Sequence, residues 1–194
     1  MRFFGVAAFI LLVTGLSFGQ EWGEYVNRDE KFVVIFPGQP AVRDITFKSE
    51  EDKDLPAKVF TAQSGQSHYK ITVVNYKDAE VGDVRGSVAW AAWQIRKRGG
   101  DVQQDSFNAN DRIEGHQLHI VYPDKTRTLV AIHQYARRLY ILEATTPVDY
   151  PPAADFQQSL VILDAKGARV RYDLDEDGNR TVRVPSTSYV AGQD

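Results

Sequence analysis

Along most of this chain apolar and polar positions alternate, with interruptions that carry as much information as the alternation. The run "KFVVIF" (31–36) is short, β-branched and aromatic, and Pro37-Gly38 with Pro40 closes it, which predicts a strand followed by a turn. Further strands are expected over "AVRDITFKS" and "AKVFTAQS", on either side of the charged connection "EEDKDLP". In "HYKITVVNY" (68–76), Tyr69, Ile71, Val73 and Asn75 fall on one face and Lys70, Thr72, Val74 and Tyr76 on the other.

The period then changes from two residues to that of a helix. From Asp83 to Arg98, Val84, Val88, Ala91, Ala92 and Ile95 form one apolar stripe. Asp83 suits an N-cap, Arg96, Lys97 and Arg98 suit the negative end of the helix dipole, and Gly99-Gly100 ends it. Strands are expected at about 102–112, 116–123, 127–136 and 138–147, with joins at Gly115, Pro123-Asp124 and Arg137-Arg138. A second helix is expected over "DYPPAADFQQSLVIL" (149–163). Consecutive short strands with two separate helices predict the α+β class, an antiparallel sheet flanked by two main helices.

Three stretches together resemble a known family. "WGEYVNRDEKFVVIFPGQP" resembles the opening of small exported bacterial proteins of the PsbP type, where a strand ends in a Phe-Pro-Gly-x-Pro turn. "IEGHQLHIVYPDKTRTLVAIHQYARRLYILEATTP" resembles their second half, and "DFQQSLVILD" occupies the place of their final helix. The resemblance covers about residues 22–164. His116 stands where a more apolar residue is common, and residues 165–194 run past the usual end. It implies an α-β-α sandwich and an exported location. It implies no catalytic residues, since characterised relatives act as accessory or binding subunits, and fold alone does not carry function.

Composition narrows the classes further. With 194 residues, 43% hydrophobic and 25% charged, the chain reads as a single globular domain with an appendage. A net charge of -3 gives no reason to expect nucleic acid. The opening "MRFFGVAAFILLVTGLSFG" reads as a secretory signal: Arg2 is the positive region, the apolar stretch is short for a span, and Ser17 and Gly19 suit cleavage. The organisation expected is therefore a signal peptide at 1–19, a domain at 20–164, and a hairpin and tail at 165–194. An exported chain without cysteine relies on its core rather than on disulfides, which fits a bacterial periplasmic or extracellular setting, and it has no thiol chemistry. No transmembrane segment is expected in the mature chain.

Candidate chemistry is sparse. "GLSFG" (15–19) matches a hydrolase elbow but lies in the signal, without the strand–turn–helix context that motif needs. His116 and His119 point to opposite faces if they lie on a strand, and His68 and His133 lie on other strands, so catalysis or a zinc site is the less favoured reading. Asp173, Asp175, Asp177 and Gly178 take positions 1, 3, 5 and 6 of a calcium loop, but Val184 stands where the closing Glu belongs. With alternating flanks, the stretch reads as a β-hairpin tip without metal; weakly bound calcium at Asp173, Asp175 and Asp177 is the alternative. No cofactor is otherwise expected.

The first helix offers the better oddity. With the apolar stripe centred near 20°, Trp93 falls at about 180° and Trp90 at about 240° around the axis. Lys97, four residues past Trp93, can sit over its ring. Trp90, Trp93 and Lys97 are the candidate binding patch, and cover by another segment of the chain, most plausibly the tail after 165, is the favoured structural reading. The function expected is a non-catalytic binding or accessory domain for an envelope protein or small ligand. The alternative is an envelope enzyme or calcium-dependent module.

Overall fold

A computed structural model describes residues 21–79, 83–171, 175–177 and 179, with the side chain of Val84 left out. Residues 1–20, with the expected signal segment, and most of the stretch after 171 lie outside the described residues. The elements are β1 (Trp22–Asn27), β2 (Phe32–Pro37), β3 (Ala41–Lys48), β4 (Asp54–Ser64), β5 (Ser67–Asn75), α1 (Val84–Arg96), β6 (Asp101–Asn110), β7 (Ile113–Val121), β8 (Thr126–Tyr135), β9 (Arg138–Pro147), α2 (Ala154–Gln158) and β10 (Val161–Ile162).

Seven strands form one antiparallel sheet in the order β3-β4-β5-β9-β8-β7-β6. Its two faces bury different cores, as the alternation in β5 requires. Val74 and Tyr76 join Leu118, Ile120, Val130, Ile132, Leu139 and Ile141 under α1, which contributes Val88, Ala91, Ala92 and Ile95. Tyr69, Ile71 and Val73 join Leu142, Ala144, Phe60 and Phe156 on the opposite face. Asp83 caps α1, with the Gly86 amide donating to its Oδ1 at 2.7 Å.

The opposite face departs from the expected second helix layer. A three-stranded sheet, β1-β2-β10, covers it together with α2, whose span is 5 residues rather than 149–163. Pro151-Pro152 delays the start, and at Ser159, the C-cap, the hydroxyl bonds back to the helix and across to β2: Oγ donates to Phe156 O at 2.9 Å and accepts from the Ile35 amide at 3.3 Å. The chain is thus tied to β2, and Val161 and Ile162 extend along that strand opposite Val33 and Phe32. So one helix layer, not two, flanks the sheet. "WGEYVN", expected only as a lead, is β1, paired with β2 from Trp22↔Pro37 to Asn27↔Phe32.

One join also shifts. The β6–β7 turn is made by Asp111 and Arg112, at φ +48° and +65°, not at Gly115. Gly115 lies inside β7 opposite His133, where an added Cβ would stand 2.3 Å from the imidazole Nδ1. After β10 the chain stays on this side of the molecule. Leu163 bridges to Arg169, Val170 is buried beside Phe32 and Tyr140, and the Arg169 guanidinium grips Asp111 with bonds of 2.7 and 2.9 Å. No helix among the described residues is long and apolar enough to cross a membrane.

Candidate functional site

The outward side of α1 carries the aromatic pair. The rings of Trp90 and Trp93 stack with centroids 4.8 Å apart and planes at 24°. Lys97 Nζ lies 4.2 Å from the centre of the Trp93 ring, the contact its spacing of four residues allows. Trp90 is half-buried, because its indole N–H donates to Lys48 O at 2.8 Å where β3 turns into β4. Trp93 is 40% exposed. The cover over Trp90 thus comes from the end of β3. The described start of the tail, through Val170, packs in the core on the far side of the sheet from α1. The hairpin expected beyond it falls outside the described residues.

The other flank of α1 overhangs the sheet edge. Arg85, Ala89, Ala92 and Arg96 face Phe107, Glu114 and His116 across a cleft of about 190 Å³. Asp105 on β6 organises its lower end: Arg96 Nη1 donates to Oδ2 at 2.8 Å, and His116 Nε2 bonds Oδ1. Burial acts to raise the Asp105 pKa, but His116 and Arg96 outweigh it and hold the carboxyl below the ordinary carboxylate range. Phe107 is 87% exposed and meets His116 edge-on, with ring centres 5.7 Å apart. Neither Asp105 nor Phe107 was a candidate on sequence grounds, although a lone Phe in the polar run "DVQQDSFNAN" was the available signal.

The remaining histidines do not join this site. His116 shares its face of β7 with Leu118 and Ile120, under α1, while His119 points to the opposite face, as two-residue alternation demands. His133 is buried on β8 and its Nδ1 lies 3.2 Å from Ile113 O; His68 is exposed on β5. Among the described residues no three His, Asp or Glu side chains form a metal-holding group. In the acidic loop, one carboxylate oxygen of Asp175 accepts the amides of Asp177 and Asn179, at 3.1 and 2.7 Å, and the Asp175 amide donates to Asn179 O at 2.9 Å. Those bonds close a tight turn; Asp173, Gly178 and Val184 lie outside the described residues.

One strongly buried charge sits past the C-terminal end of α1. Glu143 on β9 receives Lys70 Nζ at 2.7 Å and an Arg98 guanidinium nitrogen. Burial acts to raise its pKa, yet the two cations outweigh burial and the carboxyl stays ionised below its ordinary range. The triad pins Arg98, and with it the exit of the helix, to the centre of the sheet.

No family model matches the chain, and no curated protein matches it. Among solved structures it is similar to cyanobacterial PsbP (CyanoP) from Synechocystis sp. PCC 6803, solved in solution. That likeness has 11% identity and a TM-score of 0.44, and covers 72% of this chain and 88% of that chain.

Proposed function

We propose that the chain is an exported, non-catalytic binding or accessory domain whose contact surface is the outer side of α1. The observation that supports this is the stacked Trp90–Trp93 pair with Lys97 over it, exposed at Trp93 and already held in place through the Trp90 bond to Lys48. A rigid aromatic anchor loses little side-chain freedom when a partner covers it, and Trp is over-represented among residues that dominate binding energy. The dispersal of His68, His116, His119 and His133 over two faces and several strands gives a catalytic reading less to build on.

The test is a photo-reactive amino acid placed at position 93, and in a control at the exposed Val42 on β3, in the full chain incubated with an extract of the source cells. A discrete adduct from 93 and none from 42 is expected. Trp93→Ala should then weaken the isolated complex by about thirtyfold, the loss typical of a hot-spot aromatic. Equal adducts from both positions, or no adduct at 93, would overturn the reading.

A further inference from the structure

A cavity of about 590 Å³ lies where β1 and β2 of the small sheet, β5 and β9 of the large sheet and α2 meet. Trp22, Tyr69, Thr146, Tyr150, Asp155 and Phe156 are among its walls. The ring centres of Trp22 and Tyr69 are 4.8 Å apart with planes at 85°, and those of Tyr69 and Phe156 are 5.2 Å apart at 57°. Rings set at such angles make separate walls of a box, whereas Trp90 and Trp93, at 24°, make one flat plate. Trp22 is 46% exposed and Tyr150 39%, so two large side chains stay open to solvent beside an aromatic interior.

The walls are already fastened. The Tyr150 amide donates to Pro147 O at 3.1 Å and its carbonyl accepts from the Arg127 guanidinium, so a ligand meets a formed site rather than a loop it must order. Among the described lining residues Asp155 alone is charged, and its carboxylate makes no hydrogen bond or ion pair with another described residue. Arg127 does not line the cavity, and its guanidinium is engaged by the carbonyls of Val148 and Tyr150. The cavity therefore combines aromatic walls with one unanswered negative charge.

We propose that this cavity binds a trimethylammonium group, carried by a free choline-like molecule or by a phosphocholine headgroup. An anion would meet the Asp155 charge with no lining cation to offset it, and a neutral ligand would draw nothing from that charge. A primary ammonium or a guanidinium brings several N–H donors and a shell of water that walls of rings and prolines do not replace. A trimethylammonium group has no N–H to satisfy. Its charge is spread over methyl surface, which suits the negative faces of Trp and Tyr, and Asp155 attracts it without a hydrogen bond.

The experiment follows the three indole N–H resonances of the full chain by NMR during titration with choline chloride to about 50 mM at constant ionic strength, enough to populate a site of millimolar affinity. Choline is expected to shift Trp22 and leave Trp90 and Trp93 in place. Two analogues separate the causes: 3,3-dimethylbutanol keeps the shape without the charge, and ethanolamine keeps the charge without the methyl groups. Each should bind several-fold more weakly than choline. Asp155→Asn should weaken choline about fivefold, the attraction of two unit charges in contact at an exposed site, and undisturbed Trp90 and Trp93 resonances report an intact fold. Trp93→Ala should leave choline binding unchanged, which separates this site from the α1 surface. Vesicles of phosphatidylcholine, compared with phosphatidylglycerol, form the second arm: a response to phosphatidylcholine vesicles but not to choline assigns the headgroup, and a response to choline assigns the free molecule. The proposal is overturned if neither choline nor phosphatidylcholine moves Trp22, if either analogue matches choline, or if Asp155→Asn binds as tightly as the wild type.

Discussion

A single packed contact, Gly115 against His133, sets up a titration. Only a residue without Cβ lets the imidazole lie across the neighbouring strand, and there it bonds Ile113 O within the core. Burial holds the His133 pKa below its ordinary value of about 6.5, despite hydrogen bonds to the backbone of Ile113 and Glu114 that act to raise it. His119 is shifted the same way by burial, with the Arg127 charge adding to it. In the unfolded chain both rings take up a proton at about pH 6.5 and the folded state resists it, so stability falls as pH drops below that value. Each ring can contribute at most about 1.4 kcal/mol per pH unit. Urea unfolding between pH 7.5 and 5 should show this decline in the wild type. His133→Gln should flatten it in part and the His119→Gln/His133→Gln pair more fully; an unchanged slope in the pair would place the proton uptake elsewhere.

At the scale of elements, helix α1 was legible because its signals are local. The stripe Val88, Ala91, Ala92 and Ile95, the cap Asp83 and the glycines after Arg98 are all within one stretch of sequence, and every one of them recurs in the fold. Asp83→Ala should therefore cost about 1 kcal/mol in urea unfolding, while Asp83→Asn, which can still accept from the Gly86 amide, should cost much less. Similar losses for both substitutions would mean the bond to Gly86 is not what stabilises the turn. On the other face β2 was legible, but β1 and β10 beside it were not, for a physical reason. "WGEYVN" becomes a strand because β2 offers it an edge, and Val161-Ile162 leaves helical spacing because the Ser159 bond to Ile35 delivers it to the other edge. Propensity in both segments gives way to pairing with β2, which lies just after Trp22–Asn27 in the chain but more than a hundred positions before Val161-Ile162. The candidate surfaces divide in the same manner. Trp90, Trp93 and Lys97 share one helix and could be read from an angle, whereas Trp22, Tyr69 and Thr146 meet only once three strands and α2 are in place.

Across the whole molecule, the question raised by the two cores is where the globular unit ends. A sandwich of the expected kind would close at about residue 164, leaving the rest as an appendage. The chain instead continues into the core beneath the small sheet: Val170 has 0% exposure, its amide donates to Ile162 O at 2.8 Å, and Arg169 spans back to the β6–β7 turn through Asp111. That turn uses two residues with positive φ and so has a conformation worth fixing from outside. If residues 165–170 are part of the folding unit, removing two methyl groups from Val170 should lower global stability by about 2 kcal/mol, combining lost burial with the cavity left behind. The proper control is Val102→Ala on β6, a valine 39% exposed, for which a change within about 0.5 kcal/mol is expected. Chemical unfolding followed by tryptophan fluorescence compares them directly, since Trp22 reports on the small sheet and Trp90 and Trp93 on α1. A coincident shift of the whole transition for Val170→Ala means one cooperative unit through residue 170. If Val170→Ala matches the control, the boundary at 164 stands and the strand-like return of Leu163 to Arg169 is a peripheral clasp.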